Sequence, residues 1–136
     1  MAQAATEQSA PSPWPPQLGE PYPDLELVDQ TGRMVRLSSF KGSLILIAMI
    51  GMTCPACQAF SGAGRVGSFG HVTPTGGLPS IDELMPDYAR GVSLPSKDLV
   101  FVQLLLFDMA MGPPTAEDAH AWAEHFHRDR DHHQYV

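Results

Sequence analysis

Two stretches of continuous apolar residues organise the chain. SLILIAMIG, residues 43–51, carries isoleucines between flanking glycines and predicts a strand buried on both faces. DLVFVQLLLFD, residues 98–108, predicts a second buried strand. Before them the pattern alternates. Asp24-Leu25-Glu26-Leu27-Val28 and Met34-Val35-Arg36-Leu37 have period two, and DQTG at 29–32 supplies the turn of a hairpin. SSFKG, residues 38–42, reads as a short turn or helical elbow leading into the first apolar run.

Helical signals lie between and after these runs. Pro55 suits a first helical position, so Cys54 falls near the N-cap and Pro55 to Phe60 opens a helix. Residues 61–77 are glycine-rich and broken by Pro74, which predicts a loop inserted after a short helix. Ser80 and Glu83 then form a capping box, with Ile81, Leu84 and Tyr88 on one face. Pro86 and Gly91 limit that helix to about two turns. Thr115 and Asp118 form another box. Ala119, Trp122, Ala123 and Phe126 recur at helical spacing, predicting a helix from 116 to about 128. HHQYV reads as the approach to a further strand. The order of strand, helix, insert, strand and helix predicts an α/β domain with a parallel strand pair and helices packed on the sheet. Residues 1–20 read as a disordered, proline-rich linker in which Trp14 is the one sticky residue. The domain spans 21–136, with a glycine-rich insert at 61–97.

Composition narrows the partners. The chain of 136 residues has a net charge of −7, so it lacks the basic stripe that nucleic acids and anionic membranes require. Neither is an expected partner. The N-terminus shows no signal-peptide pattern. The run Leu44 to Met52 falls well short of the ~20 residues of a membrane helix. The expected location is cytoplasmic by default, or periplasmic if a leader has been removed upstream.

The only two cysteines are Cys54 and Cys57, in TCPAC. Such a pair can be a redox couple, half of a metal site, or two structural thiols. At a strand-to-helix junction the redox reading leads. The unpaired N–H groups and dipole of a helix start stabilise a thiolate. One helical turn brings the second sulfur within reach of the first. Cys54 is then the exposed nucleophile and Cys57 the more buried resolving thiol, forming a redox-active disulfide, with Thr53 and Pro55 in support. His71, His120, His125, His127, His132 and His133 are the candidate metal partners, and surface placement accounts for them. No metal site or cofactor is expected. Gly62, Gly64 and Gly67 match a dinucleotide fingerprint in letters, but follow a helix instead of a strand. Asp108, just past a strand, reads as a turn cap at the edge where α/β sites lie.

The stretch PYPDLELVDQTGRMVRLSSFKGSLILIAMIGMTCPAC resembles thioredoxin-like redoxins of the alkyl-hydroperoxide-reductase/thiol-specific-antioxidant type. That group includes thiol–disulfide reductases and SCO copper chaperones. LVFVQLLLFD and PTAEDAHAWAEHF look like the family's next strand and helix. The resemblance covers 21–136 apart from the insert. It implies a thioredoxin-like fold with an N-terminal β-hairpin, truncated before the cis-proline strand, so that the family's C-terminal part is missing. It implies a thiol–disulfide oxidoreductase in cell redox homeostasis, with antioxidant activity, acting on protein thiols and disulfides. Peroxidase activity is not expected. Peroxiredoxins carry Thr or Ser three residues before the reactive cysteine, and Gly51 stands there. The buried Asp that thioredoxins carry six residues before the first cysteine is replaced by Ala48. Two rival readings remain at this stage. One is an SCO-like copper carrier or sensor using the same pair, although SCO proteins space their cysteines by three residues and add a histidine. The other is a non-catalytic interaction domain built on a redoxin core.

Overall fold

The structure, a computed structural model, describes residues 14–94 and 96–136. The linker reading for residues 1–13 lies outside these. Within them the chain forms a mixed α/β fold with two sheets.

The hairpin forms as its alternation predicts. Strands β1, Glu26–Val28, and β2, Met34–Arg36, pair antiparallel with Leu27 opposite Val35. Asp29 holds the turn. Its Oδ1 accepts the Thr31 N–H at 2.8 Å, the Thr31 hydroxyl at 2.7 Å and the Arg33 N–H at 3.1 Å. Asp closes turns this way because its short side chain mimics a backbone acceptor. A single 3-10 turn over Leu37–Phe40 leads into the main sheet.

That sheet is parallel, in the order β3 (Leu44–Gly51), β4 (Leu99–Phe107), β5 (Gln134–Tyr135). Helices α1 (Pro55–Ser61), α2 (Ala63–Val66) and α3 (Ile81–Tyr88) lie between β3 and β4. Helix α4 (Ala116–His125) and a 3-10 turn at Arg130–His132 lie between β4 and β5. Each new strand is added on the same side of the last. Right-handed crossovers wound in one direction set their helices on one face of the sheet. The core sits on that face. Ile50 and Met52 join Ala63, Trp122 and Phe126, while Leu99 and Phe101 join Ile81 and Met85.

This winding corrects the expectation that β3 is buried on both faces. Leu44 is 74% exposed and Met49 48%. The second face carries Met49, Val102, Leu104 and Leu106, and Val35 of the hairpin and Phe40 of the 3-10 turn stand across from it. A groove of about 580 Å³ separates them, and Trp14 reaches its lining. Among the described residues β3 pairs with β4 alone.

Two further expectations are corrected. In α3 the buried positions are Ile81 and Met85, and Tyr88 is 83% exposed. The i, i+4 pair packs against Leu99 and Phe101 of β4, and Tyr88 is the last residue of the helix. The insert is not loop from its start. Gly62 takes φ +119, the left-handed region that glycine enters without a Cβ clash, and the chain resumes as α2. Both capping boxes are present, Ser80 with Glu83 and Thr115 with Asp118. The strand expected after α4 is β5. It lies beside β4, on the side away from β3 and the cysteines. No helix among the described residues is long and apolar enough to cross a membrane.

Buried polar groups tie α1 to the sheet. Gln103, fully buried in β4, donates from Nε2 to Ser61 Oγ at 2.8 Å and accepts from Trp122 Nε1 at 3.3 Å. Every partner of this network is hydrogen-bonded, which is what makes a buried amide tolerable.

Candidate functional site

The cysteines sit where β3 turns into α1. Cys54 is the N-cap, with extended backbone, and Pro55 occupies the first helical turn. The Cys54 N–H donates to the Gly51 carbonyl at 3.1 Å, and the Gln58 N–H donates to the Cys54 carbonyl at 3.0 Å. The Cys57 N–H points at Cys54 Sγ, 3.4 Å away. Both thiols are free and half-buried, so Cys54 is less open than the sequence suggests.

Their environments push the two thiols in opposite directions. The Cys57 thiol and then the Cys57 N–H hold Cys54 below the ordinary thiol value, against a smaller desolvation effect. Burial pushes Cys57 up, and the neighbouring Cys54 sulfur adds to that. A hydrogen bond to the ionised form favours it, while loss of water disfavours it.

Residues distant in sequence fix this junction. Gln58 is fully buried. Its Nε2 donates to the Met52 carbonyl at 2.8 Å and the Phe69 carbonyl at 3.1 Å, and its Oε1 accepts the Phe69 N–H at 2.8 Å. The insert is thereby bonded to the segment that enters Cys54. Thr75 N–H adds a bond to the Pro55 carbonyl at 3.1 Å. Sequence reasoning missed Gln58. Its signal was an amide at a core position directly after Cys57.

Gly51 has a steric role. A Cβ there would fall inside the Phe107 ring. The ladder is irregular at this point, with Gly51 paired to Phe107 and the Met52 N–H bonded to the Phe107 carbonyl at 3.2 Å. Gly51→Ala is therefore expected to force the ring or the strand aside and to lower stability by about 2 kcal/mol, the usual scale of overpacking. Urea unfolding measures this, and an unchanged midpoint refutes it.

No family model matches this chain. No curated protein matches it either. Among solved structures it is similar to a proposed electron transfer protein from Aquifex aeolicus VF5, at 19% identity and a TM-score of 0.48. The match covers 78% of this chain and 53% of that one, so the chain spans about half that protein's length.

The other candidates are dispersed. His120 Nδ1 lies 3.2 Å from the Gln30 carbonyl oxygen, and His125 Nε2 lies 2.8 Å from that of Gly67. His132 lies beside Asp129. Among the described residues no three His, Cys, Asp or Glu side chains converge where a metal ion could be held. Gly62 and Gly67 flank α2 and Gly64 lies within it, and no strand enters that helix. Asp108 caps its turn, with Oδ1 accepting the Ala110 and Gly112 N–H groups at 2.8 Å each. That turn returns to the cysteines through Met111, whose Sδ accepts the Thr53 hydroxyl at 3.2 Å.

Proposed function

We propose that the chain is a thiol–disulfide oxidoreductase in which Cys54 attacks and Cys57 resolves. The observation that carries this reading is the opposite displacement of the two thiols, one helical turn apart, with the Cys57 N–H on the Cys54 sulfur. A thiolate is the nucleophile in disulfide exchange, so the thiol held low attacks first. In the reducing direction, Cys54 thiolate attacks one sulfur of a protein disulfide. That S–S bond breaks, a mixed disulfide forms, and the leaving thiolate takes a proton from water. Cys57 then loses its proton and attacks Cys54 Sγ. The Cys54–Cys57 disulfide forms and the substrate leaves as a dithiol, carrying two electrons. A thiol donor reverses these steps to restore the pair. The same reading takes residues 21–136 as a thioredoxin-like redoxin domain, on the chain order β3, α1, β4 and α4 with the cysteines at the β3–α1 junction.

The test is a redox titration in glutathione and dithiothreitol buffers. An intramolecular disulfide is expected to form at a single midpoint between about −120 and −300 mV, the span of redox-active dithiols. Persistence of both free thiols across that range removes the proposal.

A further inference from the structure

We propose that the loop 108–112 is the substrate-binding rim of the cysteine site, and that Met111 receives an apolar side chain next to the attacked cysteine of an extended polypeptide. The inference rests on the redox reading of Cys54 and names the substrate class for it.

Met111 is held out deliberately. It is 65% exposed, yet the loop beneath it is bonded on every side. The Asp108 N–H donates to the Gly112 carbonyl at 2.9 Å, and the Met111 N–H donates to the Asp108 carbonyl at 3.2 Å. Met111 itself takes φ +64, a left-handed backbone that disfavours any residue with a Cβ. Strain of this kind persists where surrounding contacts impose it, and it gathers at functional sites. Here it directs a thioether to the Thr53 hydroxyl, beside Cys54. Met109, on the same loop, reaches the bare backbone of Gly70 in the insert.

The charge pattern selects the occupant. Three segments meet around Cys54: 51–57, which holds the pair; 72–79, bonded to the Pro55 carbonyl through Thr75; and 109–114, bonded to Thr53 through Met111. None of the three contains Asp, Glu, Lys or Arg, and the one charge on the rim loop itself, Asp108, has its Oδ1 taken up by the Ala110 and Gly112 N–H groups, in a chain whose net charge is −7. A charged small disulfide such as glutathione disulfide finds no ionic partner there. An uncharged stretch of polypeptide does find a match, since thioethers adapt to apolar surfaces of varied shape.

The experiment compares reduced full-length protein with three oxidants: a peptide disulfide with Leu beside the attacked cysteine, the same peptide with Ser there, and 2-hydroxyethyl disulfide. Stopped-flow rates are expected to favour the Leu peptide by about fivefold, the scale of partly burying one aliphatic side chain. Met111→Ser is expected to erase that preference, bringing the Leu peptide down to the rate of the Ser peptide. Met111→Leu is expected to keep it. Equal rates for the two peptides overturn the proposal. So does an equal slowing of all three oxidants in Met111→Ser, which would mean that Met111 acts through Cys54. Faster reaction with glutathione disulfide than with the Leu peptide also overturns it. No reaction with 2-hydroxyethyl disulfide instead overturns the redox reading of the pair, and this proposal falls with it.

Discussion

Cys54→Ser is expected to reduce disulfide exchange to the uncatalysed rate, while Cys57→Ser leaves the first attack intact and traps a mixed disulfide with the substrate. The asymmetry follows from the two environments. Cys54 is stabilised as thiolate, and Cys57 is kept protonated by burial. A serine hydroxyl at 54 is not ionised near neutral pH, so no nucleophile remains. With serine at 57 the mixed disulfide has no internal thiol to displace it. Mass spectrometry of the trapped adduct reads the outcome. Trapping by Cys54→Ser in place of Cys57→Ser would reverse the assignment.

The pH dependence has a definite sign. Alkylation of Cys54 by iodoacetamide is expected to be half-maximal at a pH below that of a free thiol, about 8.5, and that of Cys57 above it. Between the two, only Cys54 reacts. Cys57→Ala removes the side-chain contribution that is the largest cause of the depression, so the Cys54 profile moves up in pH. It stops short of the free-thiol value, because the backbone N–H of residue 57 still faces the sulfur. Cys57→Ser retains a hydroxyl donor and moves the profile less. A Cys54 profile unaffected by either change would show that its environment, not its partner, sets the pKa.

The features legible in sequence were those made by neighbours along the chain. The hairpin turn at Asp29, both capping boxes, the proline after Cys54 and the spacing of Trp122 and Phe126 are local devices, and each formed as its pattern predicts. What failed needed the winding of the sheet. Every position of β3 is apolar or small, so the strand's own pattern does not distinguish a face beneath helices from one beside a groove. Leu84 and Met85 are adjacent apolar residues, and only the docking of α3 on β4 decides which is buried. The contact of Thr53 with Met111 spans 58 positions, and that of Gln103 with Ser61 spans 42. Their residue types carry no trace of such pairing. The placement of the cysteine pair at a strand-to-helix junction was therefore readable, while the surroundings that hold and present it were not.

The same distinction applies to Arg128, whose removal is expected to be the most destabilising change in the chain. In sequence it is one charge in a polar tail after α4. In the fold its side chain is 2% exposed, and it joins three elements. Nη1 donates to Asp82 Oδ1 at 3.2 Å and to Gln134 Oε1 at 2.9 Å. Nη2 donates to Asp82 Oδ2 and to the Ser61 carbonyl, each at 2.9 Å. The guanidinium also lies over the Phe101 ring, 5.3 Å from its centroid. Ser61 ends the cysteine helix, Asp82 opens α3 and Gln134 begins β5. Arg128→Ala strands a largely buried carboxylate, an amide oxygen and a helix-terminal carbonyl at once. Breaking a buried pair from one side costs about 3–5 kcal/mol. That is a large share of the roughly 5–15 kcal/mol by which domains are stable. With a urea slope of about 2 kcal/mol/M, the unfolding midpoint is expected to fall by about 2 M. The cost comes mostly from what is left unpaired, so Arg128→Met combined with Asp82→Leu should be milder than Arg128→Ala alone. If the double variant is instead the less stable of the two, the ion pair itself is a net source of stability, and its contribution exceeds the penalty of burying both charges.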